Sequence, residues 1–248
     1  MSADAQRAEP LIDDWSWPWF FAGVRRALAG PAFYVAISLM GVGSLARAAG
    51  FPVGVAALST LLVWAGPGQL LFFGASLAKT APPAIAFAVS LSSVRLLPMC
   101  LSVLPMLRGR RTRLPVLLFA AHFIAVTVWA ESLRRLPDLE RPARLPYFFG
   151  VALTCMGLTT LSTAAGYWMT GTLPKPLSAG MMMLSPIYFL ATTARAARSG
   201  VDWLAISFGV LLAPLAIRFI GGGFDLPVLA LVGGGGAWLV GYIARRAA

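Results

Sequence analysis

Charge is scarce in this sequence, and acid is its scarcest kind. Of 248 residues only 12% are charged, with 20 basic side chains, 9 acidic ones and one histidine. A soluble domain carries about twice that charged fraction. Seven of the acids lie outside the apolar runs: Asp4, Glu9, Asp13, Asp14, Asp138, Glu140 and Asp225. Glu131 and Asp202 sit at run edges. There are no paired carboxylates, no His-Glu-x-x-His, no Asp-rich phosphate motif and no Gly-x-x-x-x-Gly-Lys-Ser/Thr loop. A membrane hydrolase or prenyl transferase therefore lacks its tools, and the chain reads as a non-enzyme. The lone His122 reads as a bundle residue rather than a proton relay. Cys100 and Cys155 lie in separate runs without metal-ligand spacing and read as inert core thiols. Residues 1–28 lack a short apolar core followed by a small-residue cleavage site, so no secretory signal is expected.

What is present is apolar sequence, 58% of the chain. The expected fold is an all-α polytopic membrane helix bundle of seven or eight hydrophobic segments, with at least one broken or re-entrant helix. The net charge of +11 would suggest nucleic acid in a soluble protein. Here the charges fall between apolar runs and serve topology and anionic head groups, so the expected surroundings are a lipid bilayer and no nucleic acid.

The chain divides into an N-terminal tail, 1–28, and a single transport domain, 29–246. Residues 1–14 are polar and expected to be disordered. Trp15, Trp17 and Trp19, with Arg25 and Arg26 behind them, predict an amphipathic helix lying on the membrane surface. The apolar runs then follow at roughly 31–49, 53–78, 81–107, 114–130, 145–174, 176–194, 203–217 and 226–244. Gly41 and Gly43 would let a neighbouring helix approach closely, and Arg47 can snorkel. Leu158 to Gly166 is rich in small hydroxyl residues, which suits close packing. Glu131 is expected to pair locally with Arg134 and Arg135. With eight simple spans and the N-terminus inside, the loop holding Arg108, Arg110, Arg111 and Arg113 falls outside, against the positive-inside tendency. A re-entrant second run would ease that conflict, although the later loops do not then sort cleanly.

Two features are costly at bilayer depth. The first is Gly66-Pro67-Gly68-Gln69, a break inside 26 uncharged residues. Proline removes a backbone donor and clashes with the preceding turn, so two half-helices are favoured. A helix restarting there offers unpaired N–H groups and a positive dipole end, which can hold a carboxylate. Gln69 would stand in the first turn with a donor and an acceptor. A proline kink that only shapes the bundle is the competing reading. The second feature is Arg95, in the middle of the third run and three residues before Pro98. A mid-span arginine costs at least about 2.5–3.5 kcal/mol. No acid lies in the middle of any run, so the ligand can supply its counter-charge. Pairing with helix carbonyls or Glu131, or an early span end at Pro98, are the alternatives. Ser92 and Ser93 stand beside it, although membrane serines commonly bond their own backbone. The candidate substrate-binding residues are Gly66, Pro67, Gly68, Gln69, Ser92, Ser93 and Arg95.

The segment from Trp64 to Gln69, followed by Val94-Arg95-Leu-Leu-Pro98, resembles the AzlC family of branched-chain amino acid permeases. Gly43 to Phe51 resembles that family's first-span ending. The resemblance is strongest over 30–107 and extends only as a general pattern over 145–245. It implies an exporter of leucine, valine and isoleucine in a bacterial inner membrane. It also implies multiple passes, an ion gradient (protons) in place of any cofactor, and a small AzlD-like membrane subunit as partner. Two positions depart from the family pattern. Ser93 stands where members carry Asn, and Met181 to Met183 hold no counterpart of an acid expected early in the sixth segment. A non-transporting scaffold or permease subunit of a larger complex, or a carrier of another small carboxylate-bearing solute, stands as the alternative.

Overall fold

The computed structural model describes residues 15–109, 112–197, 199–220 and 228–247. The expected disordered tail 1–14, Arg110, Arg111 and Asp225 lie outside the described residues. Most of those described are helical, with no strand among them. Three helices are long and apolar enough to cross a membrane, Pro31–Ala48, Arg141–Thr172 and Lys175–Arg195. The pair Pro82–Ser93 and Leu96–Leu107, bent by 41° at its break, makes a fourth if counted as one span. The predicted all-α membrane bundle with broken helices is therefore what the chain forms.

Two compact units divide the chain. One holds residues 1–36 and 95–159, the other 37–94 and 160–248. In the first lie α1 (Trp17–Leu28), the start of α2 (Pro31–Ala48), α6 (Leu96–Leu107), α7 (Leu114–His122), α8 (Val126–Arg135) and the first part of α9 (Arg141–Thr172). In the second lie the rest of α2, α3 (Val53–Val63), α4 (Gly66–Leu77), α5 (Pro82–Ser93), the end of α9, α10 (Lys175–Ala196) and α11 (Gly200–Phe219). It closes with a π-helical turn, Ala230–Gly234, leading into α12 (Gly235–Ala247).

In the first unit, α1 is a docked helix. A Cβ on Gly23 would stand 2.3 Å from the Tyr147 carbonyl oxygen, and one on Gly150 would stand 2.1 Å from that of Phe20. Only hydrogen fits at this crossing, so the backbones of α1 and α9 touch. Trp17, Trp19 and Phe21 remain on the exposed side. The predicted amphipathic helix therefore exists, with its small-residue face packed on protein and its aromatic face free.

The second unit uses the same device. A Cβ on Gly43 would meet the Thr163 carbonyl oxygen at 1.9 Å, and one on Gly166 would meet that of Met40 at 2.1 Å. Hydroxyls finish the seam: Thr170 Oγ1 donates to Ser44 Oγ at 2.6 Å, and Ser185 Oγ donates to the Ser38 carbonyl. In lipid, apolar burial between helices gives little drive, so close backbones and interhelical hydrogen bonds supply it. The Arg47 guanidinium, near the end of α2, lies 5.1 Å from the centre of the Tyr167 ring and donates to that residue's carbonyl at 3.4 Å.

The runs break where the backbone cannot continue. Trp64 sits at φ 44°, in the left-handed region, and ends α3. That conformation is unfavourable for a bulky side chain. The break thus falls at Trp64 and Ala65, ahead of the expected Gly66 to Gln69, and Pro67 stands in the first turn of α4. There its missing N–H costs nothing. The third run breaks between α5 and α6. Pro98 has no N–H for the carbonyl of Val94 and its ring crowds it, which stops a helix there. Arg95 is consequently a helix-start residue, not a mid-helix one. The fourth run is also two helices, parted at Phe123 to Ala125. That segment contains neither glycine nor proline, and nothing in its sequence marks the break.

Candidate functional site

In the second unit, the end of α3 and the start of α4 bring together a buried polar cluster. Gln69 is 1% exposed, and Thr60 and Thr163 are fully buried. Ser59 Oγ donates to the Ala56 carbonyl at 2.7 Å, which commits its proton. Its oxygen is thereby left to accept. Gln69 Nε2 donates to Ser59 Oγ at 2.9 Å and to Thr60 Oγ1 at 2.9 Å. Thr60 Oγ1 and Thr163 Oγ1 share a hydrogen bond of 3.0 Å. Both amide protons of Gln69 are used in this orientation, which the commitment of the Ser59 proton to Ala56 favours over the flipped amide.

The carbonyl oxygen of Gln69 has no partner. With the Trp15 indole N–H, it is one of two such buried side-chain atoms among the described residues. An unmet buried acceptor costs about 1–3 kcal/mol. A bound donor would remove that cost.

The same turn is the uncapped N-terminus of α4. The residue before it is Ala65, which has no side-chain acceptor, and no side chain caps the helix. Gly66 and Gly68 carry the early N–H groups, since Pro67 has none. Trp64, Ala65, Gly68 and Gln69 are all buried. On one side the ring of Phe189, from α10, closes on Gly66, where an added Cβ would lie 2.3 Å from its Cζ. On the other side Ser92 Oγ lies 3.5 Å from the place a Cβ would take on Gly68. Burial, unspent backbone donors and a positive dipole end thus meet at one place, together with an open carbonyl. Such a place can take a carboxylate and a donor at once.

Gly66, Pro67, Gly68, Gln69 and Ser92 are therefore gathered around the first turn of α4. Ser92 and Ser93 both donate to the Val89 carbonyl, at 3.0 and 2.9 Å, so each hydroxyl proton is spent on its own helix. Arg95 belongs to the other unit. It is exposed, and makes no hydrogen bond or ion pair with the described residues. Exposed Leu91, Val94, Leu97 and Leu101 surround it in sequence. The alternative that Arg95 pairs with Glu131 does not hold.

Glu131 is instead the centre of a cluster that sequence reasoning missed. It stands at the edge of its apolar run and is nevertheless only 3% exposed. Arg26 donates to it through Nε at 2.7 Å and Nη2 at 3.3 Å. Tyr147 OH adds a bond of 3.1 Å, and Arg135 Nε lies 4.0 Å away. The expected local pairing is thus the weakest of these contacts. Hydrogen bonding to Glu131 and its charge push the Arg26 guanidinium above its ordinary value. The partners are 105 residues apart, and no local pattern could have announced them. His122 lies exposed at the end of α7, edge-on to Phe123 at 5.2 Å.

No group of three or more metal-ligating side chains occurs among the described residues. No curated protein and no solved structure matches the chain. The family model described as AzlC protein matches residues 31–173, which takes in α3–α4 and Glu131 with Tyr147 and Arg135, and begins after Arg26. That is more than half of the 248 residues, and the chain belongs to the AzlC family.

Proposed function

We propose that this chain is a secondary transporter, not an enzyme, that moves leucine, valine and isoleucine outward across a bacterial inner membrane. It works with a small AzlD-like membrane subunit and draws on an ion gradient, with protons as the coupling ion. Membership of the AzlC family supports the class, because that family is associated with branched-chain amino acid transport. The observation that carries the site is the buried, uncapped first turn of α4 with Gln69 inside it. The substrate carboxylate meets the N–H groups of Gly66 and Gly68 and the positive end of the helix. Phe189 lies against Gly66 at that end and moves when the site opens. The apolar side chain of the substrate fills space walled by leucine, valine and phenylalanine.

A second reading concerns Arg95 alone. Its exposure among apolar neighbours favours an acidic residue of the small subunit as its counter-charge. The test is counterflow of labelled leucine in proteoliposomes, with and without the small subunit encoded nearby. Gln69→Ala and Arg95→Ala abolish flux while both proteins still insert. Unchanged flux in both variants overturns the site. A purified pair with no flux, and with a co-purifying ATPase or enzyme, replaces the transporter by a scaffold.

A further inference from the structure

The polar cluster around Gln69 contains more than a carboxylate site needs. Backbone N–H groups and a helix dipole would suffice for an anion. Gln69 offers the opposite chemistry. Its two N–H groups are held by Ser59 and Thr60, and Thr60 is braced by Thr163. Its carbonyl is left open in a place that is 1% exposed. Rotating the amide would set the carbonyl against the Ser59 oxygen, whose proton is already given to Ala56. The acceptor is therefore fixed in place at the same turn as the free backbone donors.

We infer that the Gln69 carbonyl is the seat of the substrate's ammonium group, so that the first turn of α4 reads an α-amino acid as a zwitterion. This rests on the reading of the chain as an amino acid transporter. The carboxylate takes the N–H groups of Gly66 and Gly68. The ammonium donates to Gln69 Oε1, a charge-assisted bond of the stronger kind. A neutral acceptor is suited to this task. It meets the cation without adding a fixed negative charge that would repel the carboxylate beside it. Ser59, Thr60 and Thr163 are positioning residues, since they hold the amide and leave the ligand to its carbonyl. Discrimination follows from the geometry. A ligand without the amine leaves the acceptor unmet, and a ligand without the carboxylate leaves the helix end unmet.

The experiment is equilibrium binding to the purified protein with its small subunit, for three ligands of one carbon skeleton. These are leucine, 4-methylpentanoate (no amine) and 3-methylbutylamine (no carboxylate). Leucine is expected to bind at least about tenfold tighter than either analogue. Gln69→Leu should weaken leucine to the level of 4-methylpentanoate and leave 4-methylpentanoate itself unchanged. Gln69→Glu, which keeps acceptors at that position, should retain preference for ligands that carry the amine. Equal weakening of leucine and 4-methylpentanoate by Gln69→Leu overturns the inference, as does wild-type protein that binds the two alike. In either case the carbonyl faces buried water only. Wild-type protein that binds leucine with the expected selectivity, yet gives no counterflow, overturns the transport reading and leaves the zwitterion site standing. Protein that binds none of the three ligands overturns both.

Discussion

Two buried polar clusters, one in each compact unit, differ in a single respect that decides what each can do. Around Glu131 the accounts close. A carboxylate that is 3% exposed receives two bonds from Arg26 and one from Tyr147, and Arg135 stands near. Around Gln69 they do not, because the amide protons are spent and the carbonyl is bare. A satisfied buried network fixes structure, whereas an unsatisfied one carries a cost that a ligand can remove. The charged cluster, which looks the more chemical of the two, is thus the structural one. The neutral cluster is the candidate site.

The largest effect expected from this contrast is on folding. Glu131→Ala leaves Arg26 and the Tyr147 hydroxyl without their acceptor, and Arg26→Ala leaves a carboxylate buried and short of partners. Breaking a buried pair costs about 3–5 kcal/mol. Arg26 is 30% exposed, which sets its truncation at the lower end, about 3 kcal/mol. Thermal melting in detergent should fall sharply for both, while leucine flux per folded molecule is retained. If flux falls far more than the folded fraction, the cluster takes part in transport and the contrast breaks.

Next in size is Gln69→Leu, with the opposite signature. Flux of leucine should drop about tenfold to a hundredfold, as expected for a lost hydrogen bond to a charged group. Melting should hardly change. The substitution removes an unpaired acceptor as well as two bonds, and Ser59 keeps its bond to Ala56. A large melting loss with proportionate flux loss would make Gln69 a structural residue like Glu131.

Much of the fold was legible because apolar run length and break residues act locally. Pro67 announced a helix start, and Pro98 explains the break at Val94 once the lost bond is traced four residues back. The exact break at Trp64 was not legible, since a tryptophan in the left-handed region is imposed by tertiary packing and not by its own preference. At the site, Gln69 stood out by its type in an uncharged run. Its partners did not, because Thr163 lies 103 residues from Thr60. The Arg26 pairing of Glu131 was illegible for the same reason, and the nearby Arg134 and Arg135 offered a local answer of which the Arg135 contact forms but is the weakest. Arg95 looked central from its place in the run, but the bend makes it an exposed residue at the start of α6.

A smaller effect tests the closed end of α4. The atom a Gly66→Ala methyl would meet is the tip of the Phe189 ring, which can swing away. Stability should fall by about 1–2 kcal/mol, as for modest overpacking. Gly66→Ala should also raise the half-saturating leucine concentration, because the displaced ring and the new methyl crowd the carboxylate end. Adding Phe189→Leu should restore melting. If the double variant recovers stability but not binding, the methyl itself obstructs the ligand, which sharpens the assignment of this turn.

The smallest effects are expected at Ser92 and Ser93, and they separate proximity from participation. Ser92 lies beside Gly68, and position alone would place it in the site. Yet its proton goes to Val89, as does that of Ser93. A serine that bonds its own helix contributes little beyond that bond. Ser92→Ala and Ser93→Ala should each change melting by less than about 0.5 kcal/mol and leave leucine binding within twofold, about 0.4 kcal/mol. A tenfold loss in Ser92→Ala alone would mean that its hydroxyl turns from Val89 to the ligand when the site fills. The boundary of the site would then run through α5 as well as α4, and the uncapped turn would not be acting alone.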